Sequence, residues 1–420
     1  EHGFDIENCN LILDNCGAAR FTKTGFNVVN SNIILTRGVY AYRNYGVATA
    51  GNGATRLTGS YQSFVKNESN ERLDSAAGFK ATNSNLIFSA TSEWENQVNA
   101  GYFGSNPRNV SGCHFAIAFD RNYNGLHLIN SNVRGLKPRS ESNVFAVRDT
   151  GYLGASNNVN VGILAENSKI FWDGRILASN NTKGIDLRES NLDTDDLIIR
   201  GNHRVGVKAT NSEIWYNKNK YPNAIRLEET AGVNYFAMWF EDNGQHLILD
   251  NSILDVVDTS ALDAKFGTFR LSDNFWLNTN STNVSGVGQS PSVELRNGSY
   301  AKILGIYADG SLGKFLIDAP ERGSIVAALD GSKAVLQSSK LVPGYVQGNY
   351  LTASLARRKY NAAIYAGNNS EVAVQGPHLI RDFGVDLLAE NHSKILISPH
   401  LTKSGNLDIS GFTLSDTGNH

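Results

Sequence analysis

Several acids in this chain are spaced in a way that suits cleavage of glycosidic bonds, a reaction commonly run by two carboxyl groups about 5 to 10 Å apart. Asp193, Asp195 and Asp196 sit close together, Glu228 adjoins Glu229, and Glu241 is followed by Asp242. In a strand, residues two apart share a face and neighbours point oppositely. Asp193 with Asp195 is therefore better placed to act jointly than Glu228 with Glu229. The candidate catalytic acids are Asp193, Asp195, Glu228 and Glu241, and the competing role for each is that of a solvated turn residue. Large aromatics form a second set of candidates, namely Trp94, Trp215, Tyr216, Tyr221, Trp239 and Trp276, in the stretches between regular copies of the repeat described below. Their flat, partly polar rings suit stacking on a glycan or packing at a subunit contact. Packing a loop onto the body of the protein would use them equally well.

Other chemistries find less support. The histidines are scattered, and no HExxH, nucleophile elbow or phosphate-cradling glycine loop is present. The three cysteines, Cys9, Cys16 and Cys113, have no metal-ligand spacing. No cofactor and no metal is expected. His127 and His246 fall in strands of the repeat described below and read as surface residues. With 38 basic and 40 acidic residues the net charge is -2, which offers no electrostatic basis for binding nucleic acid or an anionic membrane. No apolar run approaches the ~20 residues of a membrane span, so no membrane insertion is expected.

The elements that must position these residues come from a repeat. GILAENSKI, GIDLRESNL and GVKATNSEI start at Gly162, Gly184 and Gly206, a step of 22 residues each time. Ile163, Ile185 and Val207 form one apolar column; Ala165, Leu187 and Ala209 form a second, two residues on, which is strand spacing. A polar pair follows, Asn167-Ser168 in the first copy, whose side chains can bond the backbone and turn the chain. A third column holds Ile170, Leu192 and Ile214. The unit is strand, bend, strand, and it can bury its apolar face only by stacking on further copies. The same template fits at Gly3, Gly25, Gly78 and Gly125, where Cys9 stands in the column otherwise held by Ser. The expected fold is all-β, a right-handed parallel β-helix of about 22 residues per rung, with long loop insertions.

We read residues 1–420 as a single solenoid. Regular rungs are expected over 1–35 and 160–215, loop-rich stretches over 36–160 and 215–360, and regular rungs again over 361–415. Residue 1 is Glu and the repeat is in phase from Gly3, so the chain is expected to be a segment of a longer one. The sequence elements of polygalacturonases, enzymes with this fold, are absent apart from Asp195-Asp196.

The GFxxxNSNI rungs, the YAYRNYG segment from Tyr40 to Gly46 and the Asn-rich insertions resemble β-helical structural proteins of tailed bacteriophages. The likeness is to large baseplate and tail-fibre-associated proteins of T4-like marine cyanophages. Such a resemblance implies a virion component of the tail or baseplate, extracellular after release. It would contact other virion proteins, form a homo-oligomer such as a trimer, and contribute to attachment to host-surface polysaccharide. It carries over no catalytic residue. Two alternatives share the fold: a tailspike-type polysaccharide depolymerase or lyase, and a bacterial β-helical surface adhesin.

Overall fold

The computed structural model describes residues 2–19, 21, 23–42, 77–89, 115–136, 152–216, 238–241, 243–256, 269–272, 291–304, 306–309, 324–337, 340–342, 362–375, 379–380 and 385–398. The chain divides into two compact units, 1–195 and 196–420. Among the described residues the secondary structure is all strand, with no helix, and the paired strands run parallel in stacked, solenoid-like ladders.

In the first unit, strands Phe4–Glu7, Phe26–Val29, Ala77–Thr82, Asn124–Ile129, Val161–Glu166 and Lys183–Arg188 pair in that order. We call these the leading strands. Ile163 faces Ile185 and Ala165 faces Leu187 across two of them, and all four side chains are fully buried. The apolar columns of the repeat are thus the inward columns of the fold. After the corner, Asn10–Ala19, Asn32–Tyr42, Asn85–Ser89, Asn132–Leu136 and Lys169–Ser179 form a second ladder. Its longer strands bend, with a register shift between Asp14 and Cys16, and their far halves build a third ladder. There residues 16–19 pair with 39–42, then with Phe115–Asp120, Tyr152–Ser156 and residues 176–179. The nine-residue template contains the first two faces and not the third.

The second unit repeats the plan. Its leading strands are Val205–Thr210, Gln245–Asp250, Val293–Arg296, Val326–Ala328, Ala362–Ala366 and Val385–Ala389. Its second ladder is Glu213–Tyr216, Ile253–Val256, Tyr300–Leu304, Lys333–Gln337, Glu371–Gln375 and Lys394–Ser398. A third ladder links residues 197–200 to Met238–Glu241, Phe269–Ser272, Ile306–Asp309, Lys340–Val342 and Leu379–Ile380.

The corner between the leading and second strands is closed by two side chains. Its first residue is left-handed, with φ of 49° at Asn30, 47° at Asn130 and 48° at Asn251, a conformation Asn tolerates better than other chiral residues. These asparagines also bond rung to rung, as when Asn167 Nδ2 donates to Asn130 Oδ1 at 2.8 Å. The second residue, Ser, is buried. Ser131 Oγ donates to the Ile129 carbonyl at 2.8 Å and accepts the amide N–H of Ser84 at 3.1 Å. Equivalent inter-rung bonds run from Cys9 N to Ser31, Ser31 N to Ser84, Ser131 N to Ser168 and Ser168 N to Ser190. In the second unit they join Ser212, Ser252, Ser299, Ser332, Ser370 and Ser393. One bond geometry connects residues 22, 37, 47 and 53 apart in sequence, so the corner is kept whatever the length of chain between successive rungs.

A second amide ladder lies inside. Asn122, Asn158 and Asn181 are fully buried; Asn158 Oδ1 accepts the Asn122 backbone N–H at 2.9 Å and Asn181 Oδ1 accepts that of Asn158 at 2.8 Å. Their Nδ2 groups donate to carbonyls of the third ladder, Ala41, Phe119 and Ala155. Beside this ladder Gly162 has room for no side chain, because a Cβ there would lie 2.6 Å from the Gly184 carbonyl oxygen.

Two stability measurements test the corner. Ser131→Ala strands the buried Ser84 N–H and should lower the free energy of urea unfolding by about 1 to 3 kcal/mol. Glu189 occupies the left-handed position with φ of 50°, where a non-Asn side chain is strained. Glu189→Asn should raise stability by about 1 kcal/mol, and an unchanged urea midpoint would count against this account of the corner.

Candidate functional site

On the outward side of the leading ladder in the first unit, a charged cluster is assembled from three strands. His127 lies opposite Leu164, and Leu164 opposite Asp186; Glu166 lies opposite Arg188. His127 Nε2 is 2.8 Å from Glu166 Oε2. Arg188 bridges both acids, NH1 to Glu166 Oε1 at 2.9 Å and NH2 to Asp186 Oδ2 at 3.2 Å. Lys183 Nζ reaches the same Asp186 oxygen at 2.8 Å. His127 is only 5% exposed and Asp186 1%, although the alternation of the strand aims both away from the core. This corrects the expectation of a surface histidine. His246 is buried as well, packed near Phe240 and 3.2 Å from the Asn243 amide.

Burial pushes the His127 imidazole below its ordinary pKa, against the hydrogen bond and charge of Glu166, which act to raise it. A neutral imidazole facing a carboxylate must carry its proton on Nε2, so Nδ1 is left as an acceptor. Nδ1 and Asp186 Oδ1 are buried with no hydrogen-bond partner. The cluster is an ion-paired network whose open capacity is for accepting hydrogen bonds. Among the described residues no group of three or more His, Cys, Asp or Glu is arranged to hold a metal ion.

No family model matches this chain, and no curated protein or solved structure is significantly similar to it.

The residues singled out from sequence are placed as follows. Asp193 is half-buried on Asn191–Arg200 in the first unit, and the same strand carries Asp195, whose side chain is outside the described residues. Glu241 ends Met238–Glu241 in the second unit, its backbone in register with Arg200. Glu228, Trp94, Tyr221 and Trp276 lie outside the described residues. Tyr216 is 7% exposed, at an inward position of its strand, so its ring is packing rather than a presented surface. Trp239 is half-buried, its backbone in register with Ile198 and Arg270. Trp215 is the candidate that faces solvent, at 39% exposure, with its indole Nε1–H donated to Glu213 Oε2 at 3.1 Å.

Sequence reasoning missed the His127 cluster. Its one available signal was the pairing of acids and bases at the two outward positions of successive copies, Glu166 with Arg188 in the same column.

The lowered His127 pKa fixes a sign for pH dependence. The unfolded state protonates first, near the ordinary value of about 6.5, so the stability that depends on neutral His127 is complete above that pH and is lost as pH falls through the folded pKa. His203, also lowered by burial, acts in the same direction. His127→Gln should make the decline in unfolding free energy between about pH 7 and pH 5 shallower; a decline as steep as in the unaltered protein would remove His127 from the account.

Proposed function

We propose that the chain is a right-handed parallel β-helix serving as a structural component of a tailed-phage virion, in the tail or baseplate, and contributing to host-surface attachment. The right hand follows from the rule that parallel strands joined by crossovers within one sheet are almost always connected that way. The virion assignment rests on the resemblance of the glycine-led rungs. The stacked corners support a mechanical role, since each buried serine amide is held by the next rung and the backbone is cross-bonded along the stack.

The observation that carries the assembly part is an isoleucine ladder. Ile12, Ile34 and Ile87 stand in register on the second face of the first unit, and are 64%, 40% and 37% exposed. An in-register row of β-branched side chains at ~4.8 Å intervals is complementary to another surface of the same repeat, which a second copy supplies. Beside it run Asn10, Asn32, Asn85 and Asn132, whose amides bond one another at 2.7 to 2.9 Å and so need no outside partner on burial. Apolar ladders of this kind are uncommon on surfaces that stay wet.

Sedimentation equilibrium should find the protein as a homo-oligomer, a trimer being the expected state, and Ile34→Arg should shift it to monomer with an unchanged β-sheet circular dichroism spectrum. A monomeric unaltered protein at micromolar concentration would overturn the assembly role.

A further inference from the structure

The face carrying Trp215 brings together groups that are far apart in sequence. Trp215 lies opposite Asp255, and Asp255 opposite Lys302; Glu213 lies opposite Ile253, and Ile253 opposite Tyr300. All of these are outward positions, and the intervening Leu254 and Ala301 are fully buried. Three strands at ~4.8 Å spacing give a platform about 10 Å across. The indole is held by its bond to Glu213, so its exposed ring is already oriented and little rotamer freedom remains to be lost when a ligand stacks on it. The Asp255 side chain makes no hydrogen bond or ion pair with any described residue, although its position in the ladder is between those of Trp215 and Lys302 and the Lys302 charge acts on it. Burial raises its pKa, Lys302 opposing, and burial with the Asp255 charge raises that of Tyr300.

We propose that Trp215, Glu213, Asp255, Tyr300 and Lys302 form a binding subsite for a sugar ring of a neutral or amino-sugar polysaccharide. This rests on the attachment role proposed above and names its ligand class. The C–H face of a pyranose packs on the indole, as apolar faces do on aromatic rings. Its hydroxyls donate to the free Asp255 carboxylate, and Tyr300 and Lys302 donate to its oxygens. The acids lie closest to the indole, Glu213 on its own strand and Asp255 on the adjacent one, while Lys302 and Lys333, the latter opposite Tyr300, lie on strands farther along; a uronate stacked on the indole therefore meets carboxylates first, where a neutral ring or an ammonium-bearing one is accepted. Glu213 is already engaged with the indole, and the site is one of binding.

The test is a glycan array bearing neutral, amino-sugar and uronate oligosaccharides, followed by calorimetric titration of the best binder with the purified protein. The protein should bind neutral or amino sugars above uronates. Trp215→Ala should weaken that binding about tenfold, Asp255→Asn should weaken it too, and Trp215→Phe should retain part of it, all with unchanged circular dichroism. Binding that survives Trp215→Ala and Asp255→Asn intact overturns the subsite and leaves the attachment role standing. A preference for uronates overturns the sugar class. Failure of the unaltered protein to bind any glycan on the array overturns the attachment role and the subsite with it.

Discussion

Among the described rungs the first corner turns at a small polar residue, a serine except at Cys9 and buried at most positions, and the rest of the architecture depends on how that residue's amide is satisfied. A chain that turns a corner cannot keep all its N–H groups in the ladder, and an unpaired buried amide is costly. The hydroxyl of the next rung accepts the orphan N–H and itself donates to a carbonyl two residues earlier, three at Ser299, so serines such as Ser131 and Ser252 are both acceptor and donor. The bond forms only if successive corners lie directly above one another. Within each unit it therefore holds the register of the stack, and with it the side chains that meet on each face. The thiol at Cys9 shows what the position requires: Cys9 donates its amide to Ser31 while Sγ lies 2.9 Å from the Glu7 carbonyl.

Fixed corners let the outward faces vary. Inward columns keep Phe, Ile, Leu, Val and Ala, and the phenylalanines stack, Phe4 on Phe26 at 4.7 Å between ring centroids and Phe26 on Phe79 at 5.3 Å. Outward columns have no such constraint. In the first unit the leading face carries Glu166 and Asp186 ion-paired with Arg188 and a neutral His127 hydrogen-bonded to Glu166, and the second face carries an aliphatic ladder. In the second unit the second face carries an indole beside a free carboxylate. A surface of this kind can change its chemistry rung by rung without disturbing the stack.

The periodic part of this design is legible in the sequence because it is local. Ile163 with Ala165 and the Asn167-Ser168 pair lie within one rung, so their spacing alone predicts inward columns and a turn, and the parallel pairing of successive copies follows from the 22-residue step. The third ladder is illegible for the opposite reason. Residues 39–42 and Phe115–Asp120 are paired, yet the chain between them includes another rung and its insertions, so no fixed interval marks them.

What the sequence determined by itself is the repeat: which residues face inward, where the chain turns, and that copies stack in parallel. What only the tertiary structure decided is which outward side chains meet and which are covered. His127 occupies an outward position and is nonetheless buried, and Trp215 finds Asp255 and Lys302 only through register. Glu213 and Asp255, the acids that bond the exposed indole or lie opposite it, are not among those nominated from their closeness in sequence. Alternation along a strand sets the direction of a side chain, whereas its neighbours in a parallel ladder come from other rungs, at separations set by insertions of no fixed length.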